Sequence, residues 1–161
     1  MRKLLQPQSH DLDVSSRTDE PGPLIELSEL SNSKKDIDQP LTPEQLITLF
    51  NFGKKRQCGK SWIARNQRGL AVSALYMTWD SRFAYYNIGC SHPDHTTTGA
   101  MSLLMWTAIQ HAGLVTKAFN FEGSMIASVE RFFRGFGGIQ TPYFQVSRTS
   151  SKILKIKDII T

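Results

Sequence analysis

The sequence predicts a mixed α/β (α+β) domain, with a mainly antiparallel sheet and one central parallel strand-helix-strand unit flanked by helices. Three strand-like segments joined by short turns occupy residues 62–89, which is typical of an antiparallel meander. An amphipathic helix then separates the third strand from a fourth, and such a connection usually places its two strands side by side and parallel. The 161 residues suffice for one domain with a hydrophobic core.

Residues 1–40 are expected not to fold. The stretch from Gln6 to Pro40 is mainly Ser, Asp, Glu, Lys and Pro, with one short apolar patch from Leu24 to Leu30. That composition buries too little apolar surface to offset the entropy of the chain. We therefore predict a polar, disordered leader at residues 1–40, the folded domain at residues 41–150, and a basic, apolar tail or edge strand at residues 151–161.

The first predicted helix begins after Thr42. Threonine is a good N-cap, and Pro43 is tolerated in the first turn because its missing N–H would have no partner there. Leu46, Ile47 and Phe50 supply an apolar face, and Gly53 marks the expected end of the helix.

The predicted meander follows this helix. Its strands are Trp62 to Asn66, Leu70 to Trp79 and Phe83 to Gly89, with turns at residues 67–69 and 80–81. The middle strand is apolar at both alternating sets of positions, which predicts burial on both faces.

The predicted crossover helix is the strongest helical pattern in the chain. After a polar loop from Cys90 to Thr98, apolar residues recur at the spacing of one helix face up to Gly113. These residues are Met101, Leu104, Met105, Ala108, Ile109 and Ala112. The neighbouring His111 lies off this stripe, so we expect it on the surface.

A strand, a helix and a last strand complete the predicted domain. The strand runs from Lys117 to Glu122, Ser124 opens the helix, and the last strand runs from Tyr143 to Arg148. The helix has an apolar stripe of Ile126, Val129, Phe132 and Phe136. Glu130 and Arg134, one turn apart on its other face, are expected to pair.

Charge and composition narrow the class of protein. The net charge is +5; residues 1–40 carry 5 basic and 8 acidic side chains (−3), and residues 41–161 carry 14 and 6 (+8). A basic domain attracts anionic partners such as a phosphorylated cofactor, a nucleic acid or a lipid surface. The two cysteines form no zinc or disulfide pattern, and no segment resembles a signal peptide or a membrane span. We therefore expect a cytoplasmic protein without a metal ion.

Polar residues at the end of the fourth strand are the best candidates for chemistry. On a strand, Asn120 and Glu122 project from one face while Phe119 and Phe121 project from the other. Glu122 could act as a general base, with Asn120 orienting an acceptor and Ser124 donating a hydrogen bond. In the alternative interpretation, Ser124 only caps the following helix and Glu122 stabilises its positive end.

The last third of the chain resembles a known family. The segments FNFEGS, MIASVERFFRGFGG and TPYFQVSR are similar to the C-terminal half of FemAB-like and related GNAT-type acyltransferase domains. The resemblance implies a GNAT fold that transfers an acyl group, usually acetyl from acetyl-CoA, to an amine of a small molecule or peptide. It also implies that Thr96, Thr97, Thr98 and Gly99 bind the pyrophosphate of acetyl-CoA through backbone N–H groups.

Two alternatives to acetyl transfer remain open at this point. FemAB proteins use aminoacyl-tRNA to add amino acids to a cell-wall precursor, and the basic domain would also suit tRNA. A non-catalytic half-protein would instead bind a partner, or a second copy in a homodimer, through apolar surface. The segment from His92 to His95 offers two imidazoles and a carboxylate, but we interpret it as a polar loop because Pro93 prevents a helical ligand array.

Overall fold

The computed structural model describes residues 12–17, 21–33, 41–96, 99–123 and 126–142 of the chain. A five-stranded sheet with the order β1-β2-β3-β4-β5 lies at its centre. The strands are β1 (Leu12–Arg17), β2 (Gly59–Asn66), β3 (Ala71–Trp79), β4 (Phe83–Ser91) and β5 (Ala118–Asn120). Neighbours from β1 to β4 pair antiparallel, and β4 pairs with β5 in parallel. The predicted α/β class, the meander and the parallel pair are therefore confirmed.

Helices cover both faces of this sheet. They are α1 (Gly22–Ser33), α2 (Pro43–Arg56), α3 (Ala100–Val115) and α4 (Ala127–Gly135), with a short 3-10 turn at Pro93–His95. Helices α1 and α2 pack on one face, and α3 and α4 on the other. None of the described helices is both long and apolar enough to cross a membrane.

The prediction that residues 1–40 form an unfolded leader is wrong for the described residues of that stretch. Strand β1 pairs along β2, and α1 inserts Leu24 and Leu27 into the core, where each is at most 2% exposed. Both leucines join a cluster that includes Ile88 and Cys90 of β4. The apolar patch is too short to stabilise a separate unit, yet it is sufficient to cover one face of an existing sheet.

Helix α2 begins as predicted and ends later than predicted. Thr42 forms a capping box with Gln45, in which each side chain bonds the other residue's backbone N–H. The helix continues past Gly53 to Arg56, and Gln57 ends it in the left-handed conformation with φ of 53°. Gly53 is instead required for packing, because a Cβ there would collide with the hydroxyl of Tyr76.

Helix α3 and strand β5 also end at positions that differ from the predicted ones. Helix α3 runs through the exposed Gly113 to Val115, and β5 stops at Asn120 because Glu122 leaves the extended conformation. The predicted pair on α4 is confirmed, with an Arg134 nitrogen 2.6 Å from a Glu130 oxygen. The predicted strand at residues 143–148 and the tail at residues 151–161 lie outside the described residues.

His111 is not the surface residue that its position suggested. It is half-buried, and its ring meets those of Trp62 and Trp79 edge-on, with both centroid distances 5.5 Å. Burial, and secondarily the charge of Lys60, lower the pKa of the imidazole. Because His111 contacts both tryptophans, the face of α3 that packs on the sheet is wider than the predicted apolar stripe of that helix.

Candidate active site

Strand β4 continues after its parallel partner has ended. Only three residues of β4 pair with β5, and the last pair is Tyr85 with Asn120. The chain then turns away: Glu122 has φ of 61°, Gly123 has φ of 73°, and the Glu122 N–H donates to Asn120 Oδ1 at 2.9 Å. The edge of β4 from Tyr86 to Ser91 therefore has no β5 neighbour, and the sheet opens at this point.

A β-bulge in β4 lies at the beginning of this opening. Tyr76 of β3 pairs with Ile88 and Met77 pairs with Tyr86, so Asn87 is an extra residue in β4. The bulge reverses which face the following side chains occupy. Tyr86 therefore packs with the α3 and α4 layer, while Ile88 packs with the α1 and α2 layer.

A cleft of about 270 Å³ occupies the opening. Its lining includes Tyr86 and Gly89 of β4, Thr96 and Met101 near the start of α3, and Val129 and Phe132 of α4. One wall is therefore a strand edge, and the other is the apolar side of a helix. The cleft can hold an extended ligand that bonds to a strand edge and also has apolar segments.

The start of α3 lies at one end of the cleft. Its N-cap is Gly99, with φ of 71°, and no side chain caps the helix. Because the first N–H groups of a helix carry partial positive charge, this end can bind an anion such as a pyrophosphate. Of the four predicted donor-binding residues, Thr96 lines the cleft and Gly99 begins the helix, whereas Thr97 and Thr98 lie outside the described residues.

The predicted polar pair at the end of β5 is brought together. Asn120 Nδ2 donates to Glu122 Oε1 at 3.2 Å, and the Glu122 N–H bonds back to the Asn120 side chain. Both residues are exposed, and Asn120 forms the last pair before the sheet opens. Ser124, the third predicted member of this site, lies outside the described residues.

A row of polar residues beside this pair was missed by sequence reasoning. Thr78 pairs with Tyr85 and Tyr85 with Asn120, so the three side chains share the sheet face opposite Tyr86. Thr78 Oγ1 donates to Asn87 Oδ1 at 2.8 Å, which joins the bulge to the row. The sequence alone does not distinguish Tyr85 from the adjacent Tyr86, and only the strand register shows that they lie on opposite faces.

Asp80 fixes the Tyr85 side chain. The Tyr85 hydroxyl donates to Asp80 Oδ2 at 2.8 Å, and the backbone N–H groups of Arg82 and Phe83 donate to Oδ1. The bond to Asp80 is the main reason that the pKa of Tyr85 is raised, and the backbone bonds are the main reason that the pKa of Asp80 is lowered. Tyr85 therefore remains protonated and holds its orientation at the opening.

The segment from His92 to His95 forms the 3-10 turn that leads from β4 towards α3. His92 Nδ1 accepts the Asp94 N–H at 3.3 Å, and the rings of His92 and His95 lie 5.0 Å apart. No group of three His, Cys, Asp or Glu side chains in the described ranges could hold a metal ion. The segment instead positions the loop that borders the cleft.

Comparison with solved structures identifies the fold. A predicted acetyltransferase from Clostridium acetobutylicum, crystallised with acetyl-CoA, matches with a TM-score of 0.68 at 10% identity, over 85% of this chain and 96% of its own. A GNAT-family acetyltransferase from Streptococcus pneumoniae matches at 0.62 with 12% identity, over 86% and 99%. A ribosomal-protein-alanine N-acetyltransferase from Brucella melitensis matches at 0.61 with 11% identity, over 86% and 99%.

These matches define the class of fold. The chain has the GNAT acetyltransferase fold, as the sequence resemblance implied. No family model matches the chain, and no curated protein sequence matches it. At these identities the likeness is one of backbone architecture.

Proposed function

We propose that this protein is an N-acetyltransferase that binds acetyl-CoA in the cleft beside β4 and acetylates an amine of a small molecule or peptide. The observation that carries the proposal is the opening of the sheet after Tyr85 and Asn120, next to the start of α3. This opening offers a strand edge and a helix N-terminus to one ligand. The related fold of a protein crystallised with acetyl-CoA supports the same conclusion.

The residues present fit the chemistry of the donor. Acetyl-CoA combines an anionic pyrophosphate with an arm that contains amide groups, and it supplies an acetyl group as a thioester. The N–H groups after Gly99, with Thr96, Thr97 and Thr98, would hold the pyrophosphate. The edge of β4 beyond its pairing with β5 would bond to the amides as a neighbouring strand would. The net charge of +8 over residues 41–161 favours the encounter with this anion.

The acceptor would approach from the face that carries Thr78, Tyr85 and Asn120. The amine must be neutral to attack, so Glu122 accepts its proton while Asn120 orients it, with Ser124 as a further hydrogen-bond donor. The new C–N bond replaces the C–S bond of the thioester, and the sulfur leaves with the electron pair. The contact of Glu122 with Asn120, the last residue of β5 that pairs with β4, supports this role.

A direct assay of acetyl transfer tests this proposal. Purified protein would be mixed with acetyl-CoA and either small primary amines or a peptide beginning with alanine, as suggested by the Brucella neighbour. We expect release of free thiol together with an acetylated amine, detected by mass spectrometry. Neither product with any amine, combined with no binding of acetyl-CoA, would contradict the proposal. Binding of aminoacyl-tRNA that weakens steeply with salt would then favour the FemAB-type donor.

A further inference from the structure

Basic side chains surround one end of the sheet. Strands β2 and β5 begin at this end, and β3 turns there into β4. Helix α2 also ends there, where the Trp79 N–H donates to the Cys58 carbonyl oxygen at 2.9 Å. The basic side chains of this region, which we call the basic end, are those of Lys54, Lys55, Arg56, Lys60, Arg82 and Lys117.

The charges of the basic end are not neutralised locally. Among the described residues, no ion pair involves these side chains, and all except that of Lys60 are exposed. Asp80 lies in the same hairpin turn, but its carboxylate accepts the hydroxyl of Tyr85 and two backbone N–H groups. Acidic side chains nearer the opposite end of the sheet or of α2 include Asp13, Glu26, Glu44 and Asp94. The basic end is therefore a local excess of positive charge that attracts polyanions.

Two arginines of the basic end lie over aromatic rings. The guanidinium carbon of Arg56 is 4.9 Å from the ring centroid of Phe52, and that of Arg82 is 5.8 Å from the ring centroid of Phe83. Phe52 is 51% exposed and Phe83 is 37% exposed, so both pairs are accessible. Nucleic-acid bases stack on aromatic rings and on the planes of guanidinium groups. Each pair therefore offers a stacking surface beside positive charge.

We propose that the basic end binds single-stranded nucleic acid, with its lysines and arginines holding backbone phosphates and unpaired bases stacking on the two ring–guanidinium pairs. A single strand fits because its bases are free to stack on side chains, whereas those of a duplex are already paired and stacked. The inference is independent of acetyl transfer, because the donor cleft lies towards the other end of β4.

The ring–guanidinium pairs distinguish a nucleic acid from other polyanions. An acidic peptide would use the positive charge but would leave the rings of Phe52 and Phe83 exposed. An anionic membrane binds basic surfaces whose apolar side chains enter the lipid. Here the guanidinium groups lie over the rings, so inserting a ring into lipid would carry a charge out of water.

Fluorescence anisotropy tests the proposal. The full chain, without acetyl-CoA, would be titrated into fluorescein-labelled oligouridylate and oligothymidylate of about 12 nucleotides, a length within the usual range of such sites. We expect both to bind, with an affinity that falls steeply as salt is added. As competitors at equal charge, a duplex, a polyglutamate peptide and phosphatidylserine vesicles should each be at least about tenfold weaker than the unlabelled single strand.

Arg82→Gln and Arg68→Gln form a matched pair of variants. Both arginines are exposed residues of a hairpin turn, and the backbone N–H of each donates to the side chain two residues earlier, Asp80 or Asn66. Each substitution removes one positive charge, but only Arg82 belongs to the basic end. We expect Arg82→Gln to raise the dissociation constant about tenfold and to reduce the salt slope by about one, and Arg68→Gln to stay within about twofold of the wild type.

Phe52→Leu separates stacking from charge. It keeps Arg56 and an apolar side chain but removes the ring, so affinity for the single strand should fall about fivefold while the salt slope stays unchanged. The melting temperature should stay close to that of the wild type, because Phe52 is half exposed on α2 and leucine favours a helix.

The outcomes either support or overturn the inference. It is overturned if neither strand binds at low salt, if Arg82→Gln and Arg68→Gln lose affinity equally, or if Phe52→Leu binds as the wild type does. It is also overturned if the duplex, the peptide or the vesicles compete as well as the unlabelled single strand, which would point to a different partner. Because these titrations contain no acetyl-CoA, their result is separate from that of the acetyl-transfer assay.

Discussion

At the scale of single residues, Glu122 combines an unusual backbone with a possible chemical role. It adopts φ of 61°, which non-glycine residues seldom do, and Asn120 bonds to both its backbone and its side chain. Such conformations recur at functional sites, where surrounding contacts hold them. This is why Glu122, rather than another carboxylate of the chain, is our candidate base.

Replacing Glu122 with Gln should lower turnover at least about tenfold, because the amide cannot accept the proton of the amine. The melting temperature should hardly change, since the side chain is exposed and Gln preserves its shape. Steady-state kinetics with saturating acetyl-CoA would measure the effect.

Glu130→Gln provides the control for this variant. It also removes one carboxylate, but from the surface pair with Arg134 on α4, so turnover should stay at the wild-type level. An unaltered rate for Glu122→Gln would exclude Glu122 from the mechanism.

His111 should make stability depend on pH. Its pKa in the folded protein is lowered from 6.5, mainly by burial and also by Lys60. Below that ordinary value the unfolded chain binds more protons than the folded one, so stability is complete above about pH 6.5 and declines as the pH falls through the folded pKa. Urea unfolding at several pH values would show this slope, and His111→Phe should flatten it between pH 7 and the folded pKa. An equal slope in the variant would assign the effect to another group.

At the scale of elements, α1 is the clearest test of how the fold is held together. Leu27 is 2% exposed within the cluster formed with β3 and β4, so Leu27→Ala should lower the free energy of unfolding by about 2–4 kcal/mol. Leu30→Ala on the same helix, where the side chain is 38% exposed, is the matched control and should cost less than about 1 kcal/mol. Equal effects in chemical denaturation would show that α1 does not pack against the sheet.

Helices and strands with a clear hydrophobic periodicity could be predicted from the sequence. Elements whose stability depends on tertiary contacts could not. Helix α3 has apolar residues at helical spacing along its length, and its predicted ends lie within three residues of the observed ones. Helix α1 offers only a short apolar patch, and its stability comes from a sheet face that the sequence does not display. The bulge at Asn87 also leaves no local signal, because it follows from the register between β3 and β4.

The candidate site was predictable to a similar extent. Strand alternation predicted that Asn120 and Glu122 project together. The two side chains do contact each other, but through the turn in which Glu122 leaves the strand with φ of 61°. The row containing Thr78 and Tyr85 required knowledge of which residues lie opposite one another across three strands. The proposed donor-binding role of the loop from Thr96 to Gly99 came only from resemblance to a family, because its single glycine and three threonines form no phosphate-binding motif.

At the scale of the whole molecule, the sheet places the cleft and the polar row of Thr78, Tyr85 and Asn120 in different surroundings. The cleft is lined mainly by β4, the start of α3 and α4, with Ser31 of α1 as a further contact, and the polar row lies on the face opposite Tyr86. Under the proposed function, the donor and the acceptor would therefore approach from different directions. In the proposed reaction the protein acts mainly by positioning the two substrates.

The binding of acetyl-CoA is the central claim, and a thermal-shift titration tests it most directly. The wild-type protein would be titrated with acetyl-CoA, with CoA, and with ATP as a control for general phosphate binding. A ligand at 100 times its dissociation constant stabilises a protein by about 2.7 kcal/mol, which raises the melting temperature by several degrees. We predict that acetyl-CoA and CoA produce this shift and that ATP does not. No shift with any of the three, or an equal shift with ATP, would contradict the account.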